Sequence, residues 1–222
     1  MKPNISRLLL FVVIAAALVG YAAISKRITD TAHNDEPRRE ELKQQLPSSA
    51  SAPAKEATLN PGRVVQLHTN KGLIEFVLFE EDCPKTTERI ANLVSKRAYD
   101  GVKFGRVEKN DLIQTDEARI KVKPMGCELL RGMRHAKGSV GMARIGGDYR
   151  SNTSQFYILL EPHPALDLEY TNFGRLINGM DVAMKIEVGD VIRKATLREL
   201  TDKDKKRFFE ILRIESDRKT DS

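Results

Sequence analysis

The fold of this chain is constrained most by a series of short strand-like runs that begins at Arg63. Each run is rich in β-branched and other apolar residues, and turn-forming residues separate it from the next. The eight runs are RVVQLHT, GLIEFVLF, VKFGRVE, DLIQT, GSVGMARI, SQFYILLE, TNFGRLI and VIRKATLREL. Many short strands favour an antiparallel barrel or sandwich over a parallel α/β sheet, so a mostly β domain is predicted.

Helical patterns are few between these runs. The stretch DCPKTTERIANLVSKRAY places Pro84 at a helix start and repeats apolar residues at helical spacing, which predicts a short amphipathic helix. A second short helix is predicted at GMDVAMKIE, which starts at Gly179.

The N-terminal residues 1–27 contain a long uncharged apolar stretch. Leu8–Ile24 has 17 residues without a charge, and Lys2 and Arg7 precede it. As a helix this stretch would extend about 26 Å, close to the roughly 30 Å hydrocarbon layer of a bilayer. We expect an N-terminal apolar helix that serves as a signal-anchor, with a cleaved secretory signal as the alternative. Either reading predicts a domain outside the cytoplasm, in the periplasm or the secretory-pathway lumen.

The remaining residues divide into three regions by composition. Residues 28–61 are rich in charged residues, Ser, Ala and Pro, with few large apolar residues, and are predicted to form a flexible linker. The folded domain is predicted at 62–200. Residues 201–222 are predicted to form a capped, charged amphipathic helix whose apolar side chains, among them Phe208, are available for docking.

Charge and cysteine content exclude several classes of function. The net charge is +6, but basic and acidic residues are interleaved, so no nucleic-acid partner is expected. Cys83 and Cys127 lack the spacing of a metal clip and the four histidines are scattered, so neither a metal nor a cofactor is expected. A disulfide between the two cysteines and a pair of free thiols both remain open, with free thiols favoured.

A set of motifs follows in a fixed order through residues 63–200. After the hairpin and the helix that starts with proline come Phe104-x-Arg106, Gln114 eight residues after the arginine, KGSVGMA, SQFYI, Leu166-Asp167, and Phe173-Gly174. Taken together, in this order, the motifs resemble those of the cyclophilin family of peptidyl-prolyl cis-trans isomerases. The resemblance covers over half of the chain.

The resemblance implies a closed eight-stranded antiparallel barrel capped by two helices, with a groove on its outer face for Xaa-Pro peptides. By resemblance, Arg106 matches the catalytic arginine. The positions that match substrate-binding residues are Gln114, Leu112, Ala143, Gln155, Tyr157, Leu166 and Tyr170. The implied partners are proline-containing polypeptides, and the catalytic domain is expected to be monomeric.

The chemistry of such an enzyme explains these residue types. Rotation about an Xaa-Pro bond is slow because the nitrogen lone pair is shared with the carbonyl, which gives a barrier of about 18–20 kcal/mol. Twisting the bond returns the lone pair to the prolyl nitrogen. A guanidinium can then donate a hydrogen bond to a nitrogen that was no acceptor in the planar state. The sequence therefore predicts an isomerase that assists the folding of exported or membrane-proximal proteins.

Two features support an alternative. Arg106 by itself fits a surface arginine paired to Glu108 or Asp111 better than a catalytic residue, and only the surrounding motifs reverse that preference. In addition, three residues differ from the pattern of the family that the chain resembles. Asp111 stands where many members have an aromatic residue in the proline pocket, and Ala165 stands where a tryptophan or phenylalanine of the groove is frequent. Arg144 stands where a small polar residue is usual. A cyclophilin-like module that binds peptides with weak or no catalysis is therefore the second hypothesis.

Overall fold

A computed structural model describes residues 55–220. The N-terminal apolar helix expected within 1–27 and most of the linker at 28–61 lie outside these residues. Within the described range, no helix combines the length and the apolar character needed to cross a bilayer.

Eight strands form one antiparallel sheet in the described range, and each of the eight predicted runs overlaps one of them, with the seventh strand extending one residue beyond its run. The strands are β1 (Val64–Thr69), β2 (Leu73–Leu78), β3 (Phe104–Glu108), β4 (Leu112–Thr115), β5 (Ser139–Met142), β6 (Phe156–Leu159), β7 (Asn172–Asn178) and β8 (Ile192–Arg198). Their order across the sheet is β3-β4-β6-β5-β7-β2-β1-β8. The edge strands β3 and β8 meet at a single isolated bridge between Lys103 and Val191, so a continuous ladder that would close the barrel is not part of the observed pairing.

Three α-helices accompany the sheet in the described residues: α1 (Pro84–Ser95), α2 (Met180–Ala183) and α3 (Asp202–Thr220), with a 3-10 turn at Pro164–Leu166. The predicted proline start of α1 is confirmed. The second predicted helix is a single turn of four residues, and α3 is much the longest.

One hydrophobic core fills the inner face of the sheet. Phe156 lies at its centre, with ring centroids 5.9 Å from Phe76, 5.4 Å from Tyr99 and 6.4 Å from Phe173. All four rings are fully or almost fully buried. The hydroxyl of Tyr99 donates a 2.7 Å hydrogen bond to the Ser154 carbonyl, which satisfies its one polar atom.

Helix α1 closes one end of this core with its apolar stripe. Its buried residues include Ile90, Leu93 and Val94. The Glu128 carboxylate accepts hydrogen bonds from the backbone N–H groups of Lys85 (3.1 Å) and Thr86 (2.8 Å). Because the first N–H groups of a helix have no partner within it, this distant carboxylate caps α1.

Helix α3 is tied to the sheet at its N-terminus by charge. Thr201 and Asp204 form the capping pair, since the Asp204 carboxylate accepts the Thr201 N–H at 2.9 Å. Arg198 bridges Asp204 (2.6 Å) and Glu75 (2.9 Å), which joins α3 to β8 and β2. The hydrogen bond from Arg198 is the main reason that the pKa of Asp204 is held well below its usual value.

The apolar side of α3 docks on its own domain. The Phe208 side chain is fully buried and its ring centroid is 6.0 Å from that of Phe79. Phe209, the next residue, is 53% exposed. The tail is therefore part of the folded unit, and α3 supplies apolar cover in addition to the single turn of α2.

Residues 55–61, at the end of the predicted linker, are attached to the domain. The Asp82 carboxylate accepts backbone N–H groups from Thr58 (2.9 Å) and Leu59 (2.8 Å), and the Ala57 N–H donates to the Arg131 carbonyl at 2.9 Å. These bonds also satisfy the buried Asp82 carboxylate, so the residues at the end of the predicted linker contact the folded domain. Both cysteines are free thiols, as favoured.

Replacing Phe208 with alanine is expected to destabilise the domain. Removal of a buried phenylalanine side chain typically costs about 3–5 kcal/mol, because apolar contacts are lost and a cavity remains. Phe209→Ala is the matched control, since its side chain is half exposed on the same helix. Urea unfolding followed by circular dichroism measures both values. Equal, small losses for the two variants would show that α3 is not anchored through Phe208.

Candidate functional site

Arg106 faces outward because of a bulge in β3. Side chains alternate along a strand, so Phe104 and Arg106 should share one face. Phe104 is buried in the core and pairs with Thr115, whereas Arg106 pairs with Gln114, the very next residue of β4. The extra residue, Gly105, shifts the register by one position and turns Arg106 to the outside.

A straight row of residues crosses four strands on this outer face. Arg106 on β3 pairs with Gln114 on β4, which pairs with Tyr157 on β6, which pairs with Gly141 on β5. Residues that are directly opposite in an antiparallel sheet project from the same face, so the guanidinium, the amide and the phenol ring lie side by side.

Gly141 makes room for the Tyr157 ring. A Cβ atom built at position 141 would collide with the ring and the hydroxyl of Tyr157. The ring therefore lies flat over the Gly141 backbone and forms the floor of the outer surface. Burial raises the pKa of Tyr157, so its hydroxyl remains protonated at neutral pH.

An apolar cluster separate from the core surrounds this row. It consists of Leu112, Tyr157 and Leu159, with partly buried Ala143, Leu166 and Tyr170 packed against them. The Tyr170 ring stands edge-on to Tyr157 at a centroid distance of 6.2 Å. This outer cluster, beside an arginine and a glutamine, is a site that can hold an apolar ring next to hydrogen-bond donors.

The Arg106 guanidinium is paired with Glu108. Its Nε and Nη2 atoms donate to Glu108 Oε1 at 2.8 and 2.6 Å. The two side chains are 54% and 46% exposed. An exposed pair of this kind contributes about 0–1 kcal/mol, because water competes for both charges. An incoming ligand can therefore separate Arg106 from Glu108 at small cost.

Asp111 makes a different contact from the one considered in the sequence analysis. Its carboxylate contacts Nε2 of His163, while the Arg106 guanidinium donates hydrogen bonds to Glu108. The Asp111 carbonyl also accepts the Leu160 N–H at 2.7 Å. These contacts join the tip of the β3–β4 hairpin to the segment that precedes Leu166.

Arg144 is clamped between two tyrosine rings. Its guanidinium carbon lies 4.4 Å from the centroid of Tyr149 and 4.3 Å from that of Tyr170. Its Nη2 atom lies 3.1 Å from Glu169 Oε2, and the side chain is almost completely buried. The Tyr149 hydroxyl donates to the same carboxylate at 2.5 Å. This clamp fixes the loop after Ala143 against Tyr170 at one side of the outer cluster.

His135 supports the Tyr157 ring from behind. The two rings are stacked with centroids 6.3 Å apart, and His135 Nδ1 lies 3.1 Å from Asp167 Oδ1. Burial is the main influence on the His135 pKa and lowers it below the ordinary value, although Asp167 opposes that shift. The imidazole is therefore neutral at physiological pH, with its Nδ1–H directed to Asp167.

Comparison with known proteins identifies the family. The model of the cyclophilin-type peptidyl-prolyl cis-trans isomerases matches residues 64–213. Peptidyl-prolyl cis-trans isomerase 10 of Caenorhabditis elegans is 34% identical over 139 residues, which cover 59% of this chain and 85% of the relative. Peptidyl-prolyl cis-trans isomerase-like 3 of Gallus gallus is 35% identical over 147 residues, 62% of this chain and 89% of the relative. The chain belongs to the cyclophilin-type peptidyl-prolyl cis-trans isomerase family.

Solved structures support the same fold. A cyclophilin-type isomerase of Cryptosporidium parvum has a TM-score of 0.56 and 23% identity, and the match covers 63% of this chain and 99% of the other. A cyclophilin of Hirschia baltica also has a TM-score of 0.56, with 20% identity over 62% of this chain and 74% of the other. At these identities the likeness concerns the fold alone.

The predicted site residues lie together on the outer face. Arg106, Gln114 and Tyr157 form the row, and Leu112, Ala143, Leu166 and Tyr170 belong to the outer cluster. Gln155 precedes β6, and its carbonyl accepts the Ala143 N–H at 2.9 Å. Leu159 and Gly141 were not among the predicted site residues. Leu159 lies two residues after Tyr157, so strict alternation along β6 would have placed it on the same face.

Substituting alanine for Gly141 is expected to displace the Tyr157 ring and weaken peptide binding by about tenfold, the equivalent of one disturbed apolar contact of about 1.4 kcal/mol. Gly146→Ala is the matched control, because a Cβ atom there meets open space. Titration with an Ala-Pro peptide measures both variants. Wild-type affinity in Gly141→Ala would show that the ring position is unimportant for binding.

Proposed function

We propose that this chain catalyses cis-trans isomerisation of Xaa-Pro bonds with Arg106 as the catalytic residue. The observation that carries the proposal is the outward row of Arg106, Gln114 and Tyr157 beside the outer apolar cluster. Family membership supports the reaction class. The related Cryptosporidium parvum isomerase was crystallised in the presence of the dipeptide Ala-Pro.

In this proposal the proline ring rests on Tyr157 and is enclosed by Leu112, Leu159 and Leu166. Gln114, next to Arg106 in the row, binds the peptide backbone beside the proline. Arg106 leaves Glu108 and donates to the prolyl nitrogen as that nitrogen becomes pyramidal in the twisted state. The interaction is made in the transition state and not with the planar substrate, so it lowers the barrier selectively.

Magnitudes show that arginine alone is insufficient. Shortening a process of about 100 s to about 10 ms requires about 5.4 kcal/mol. One charge-assisted hydrogen bond contributes about 1.5–3 kcal/mol net. The rest is assigned to the fixed position of the proline ring on the Tyr157 floor and of the peptide beside Gln114, because a preorganised site lowers the entropy cost of reaching the twisted geometry.

The second hypothesis, a peptide-binding module with weak catalysis, was motivated by Asp111 and Ala165. The contact of Asp111 with His163 favours the enzyme, because that carboxylate is engaged away from Arg106. Substitution of Arg106 separates the two hypotheses directly.

Arg106→Ala is expected to lower kcat/KM for an Ala-Pro tetrapeptide by about 10- to 150-fold, the equivalent of one charge-assisted hydrogen bond. Arg106→Lys should recover part of the loss, since it keeps the charge without the planar fork. Arg97→Ala is the control, because Arg97 is exposed and pairs with Asp100 in a turn. The rates follow from a coupled isomerisation assay. Equal rates for wild type and Arg106→Ala, with peptide binding intact, would establish the binding module.

We also propose that residues 1–27 anchor the domain to a membrane and that its substrates are exported or membrane-proximal proteins. The support is the uncharged stretch Leu8–Ile24 after Lys2 and Arg7. Residues 28–54 would then act as the tether, and the catalytic domain would be monomeric.

Fractionation of cells that express the full chain tests the anchor. The full chain is expected in the membrane pellet after a carbonate wash, and a variant that lacks residues 1–27 in the supernatant. Soluble chain that has lost its N-terminus would establish the cleaved signal instead. Soluble chain with an intact N-terminus would contradict both readings.

Closure of the barrel is part of the same proposal. The Lys103–Val191 bridge supports it, together with the bonds from Gly101 N–H to the Ile192 carbonyl (2.7 Å) and from Ile192 N–H to the Val102 carbonyl (2.8 Å). These contacts bring the start of β8 to the residues that lead into β3. The two edges of the sheet would therefore protect each other at that end.

A further inference from the structure

A cavity of about 990 Å³ lies outside the proposed site, between α3, β7 and the segments 132–138 and 162–167. Its volume is that of a ligand site in other proteins. Apolar side chains from three parts of the chain contribute to its walls: Leu59, Ile177, Met180, Ile211, Leu212 and Ile214.

Two buried polar atoms in its wall lack a hydrogen-bond partner among the described residues, Nε of Arg175 and Nε2 of His135. Arg175 lines the cavity with a side chain that is only 4% exposed. Its Nη1 atom donates to the Lys137 carbonyl at 2.9 Å and to Glu215 at 2.6 Å, whereas Nε has no hydrogen-bond partner among the described residues. Since Glu215 already balances the charge of Arg175, the remaining donor is suited to a neutral acceptor such as a carbonyl oxygen.

The cavity and the outer cluster share a narrow wall. Leu166 belongs to the outer cluster, whereas Pro164 lines the cavity, and the exposed residue Ala165 lies between them. The Cα atoms of residues two positions apart in the sequence are at most about 7.6 Å from each other. Ala165 is small where the family resemblance leads one to expect a large aromatic, so little side-chain volume lies between Pro164 and Leu166.

His135 provides a second connection between the cavity and the proposed site. His135 lines the cavity and its ring is stacked on Tyr157, the floor of the proposed site. A segment that occupies the cavity would therefore meet residues that also position the Tyr157 ring.

We propose that the cavity is a second binding site for the polypeptide substrate. An apolar segment of that polypeptide crosses Ala165 from the proline site, fills the cavity and presents a backbone carbonyl to Arg175. The lining also holds charged side chains, among them Lys137 and Asp181, but its apolar side chains, with an unmatched donor on Arg175 and an unmatched nitrogen on His135, fit a stretch of peptide better than they fit a small ion. The inference rests on the proposed function, because it assumes that the polypeptide bound at the proline site also occupies the cavity.

Two linked sites make binding depend on substrate length. Once proline is bound, the neighbouring segment meets the cavity at a high effective concentration, so the affinity rises without a new contact at the first site. A short Xaa-Pro peptide reaches the first site alone. The chain should therefore prefer long apolar polypeptides over minimal peptides.

Titration and kinetics with three peptides and a polar control peptide test the proposal on the full chain in detergent. One peptide is the tetrapeptide Ala-Ala-Pro-Phe, and the others carry six additional apolar residues at its N-terminus or at its C-terminus. We expect one extended peptide to bind about tenfold more tightly and to show a lower KM with a similar kcat. An extension of serine and glutamine of the same length should give no gain.

Ile214→Asp places a charge in the cavity at a position that is 48% exposed, so the fold should tolerate it. We expect it to lose the advantage of the extended peptide. Phe209→Asp is the matched control on the same helix, 53% exposed and absent from the cavity wall, and it should keep that advantage. Equal affinity for all peptides in the wild type, or an unchanged advantage in Ile214→Asp, would overturn the second site. Absence of turnover with every peptide would instead refute the proposed reaction, while the titrations would still decide on the second site.

Discussion

The candidate site depends on one extra residue in β3. With a regular strand, Arg106 would share the inner face with Phe104, and a guanidinium would be buried in the aromatic core. An unpaired charge there would cost several kcal/mol. The bulge at Gly105 separates the two requirements, so that Phe104 packs inward and Arg106 projects outward within three residues. The row of Arg106, Gln114 and Tyr157 on the outer face depends on this change of face.

Charges in this fold divide into a buried set that holds elements together and an exposed set that is available. Arg198, bridging Glu75 and Asp204, and Arg175, paired with Glu215, connect the sheet to α3 from partly or fully buried positions. Loss of one partner in such a pair leaves a charge without compensation. Arg106 and Glu108 are half exposed, so their separation costs little. Because of this difference in burial, Arg106 is the one of these three arginines that can exchange its partner for a ligand at small cost.

Local patterns were sufficient for most of the fold. Each of the eight strand-like runs overlaps a strand, and Pro84 begins α1 as a residue without an N–H should. Long-range contacts were not predictable in this way. The bulge depends on how β3 pairs with β4. The Arg144–Glu169 bond joins residues that are 25 positions apart in the sequence, and the contact of Asp111 with His163 joins residues that are 52 positions apart. Alternation and spacing describe neighbours along the chain, and they carry no information about partners that folding brings together.

The substitutions at Asp111 and Arg144, which raised doubt about catalysis, each have a separate partner in the fold. Asp111 engages His163, and Arg144 lies between Tyr149 and Tyr170 with its charge opposite Glu169. Each unusual charge therefore has its own partner outside the row that contains Arg106 and Gln114. A carboxylate that already contacts an imidazole in this way competes less for the guanidinium than a free one would, because one of its oxygens is engaged. The altered residues thus have partners of their own, while Arg106, Gln114 and Tyr157 lie side by side in one row on the outer face.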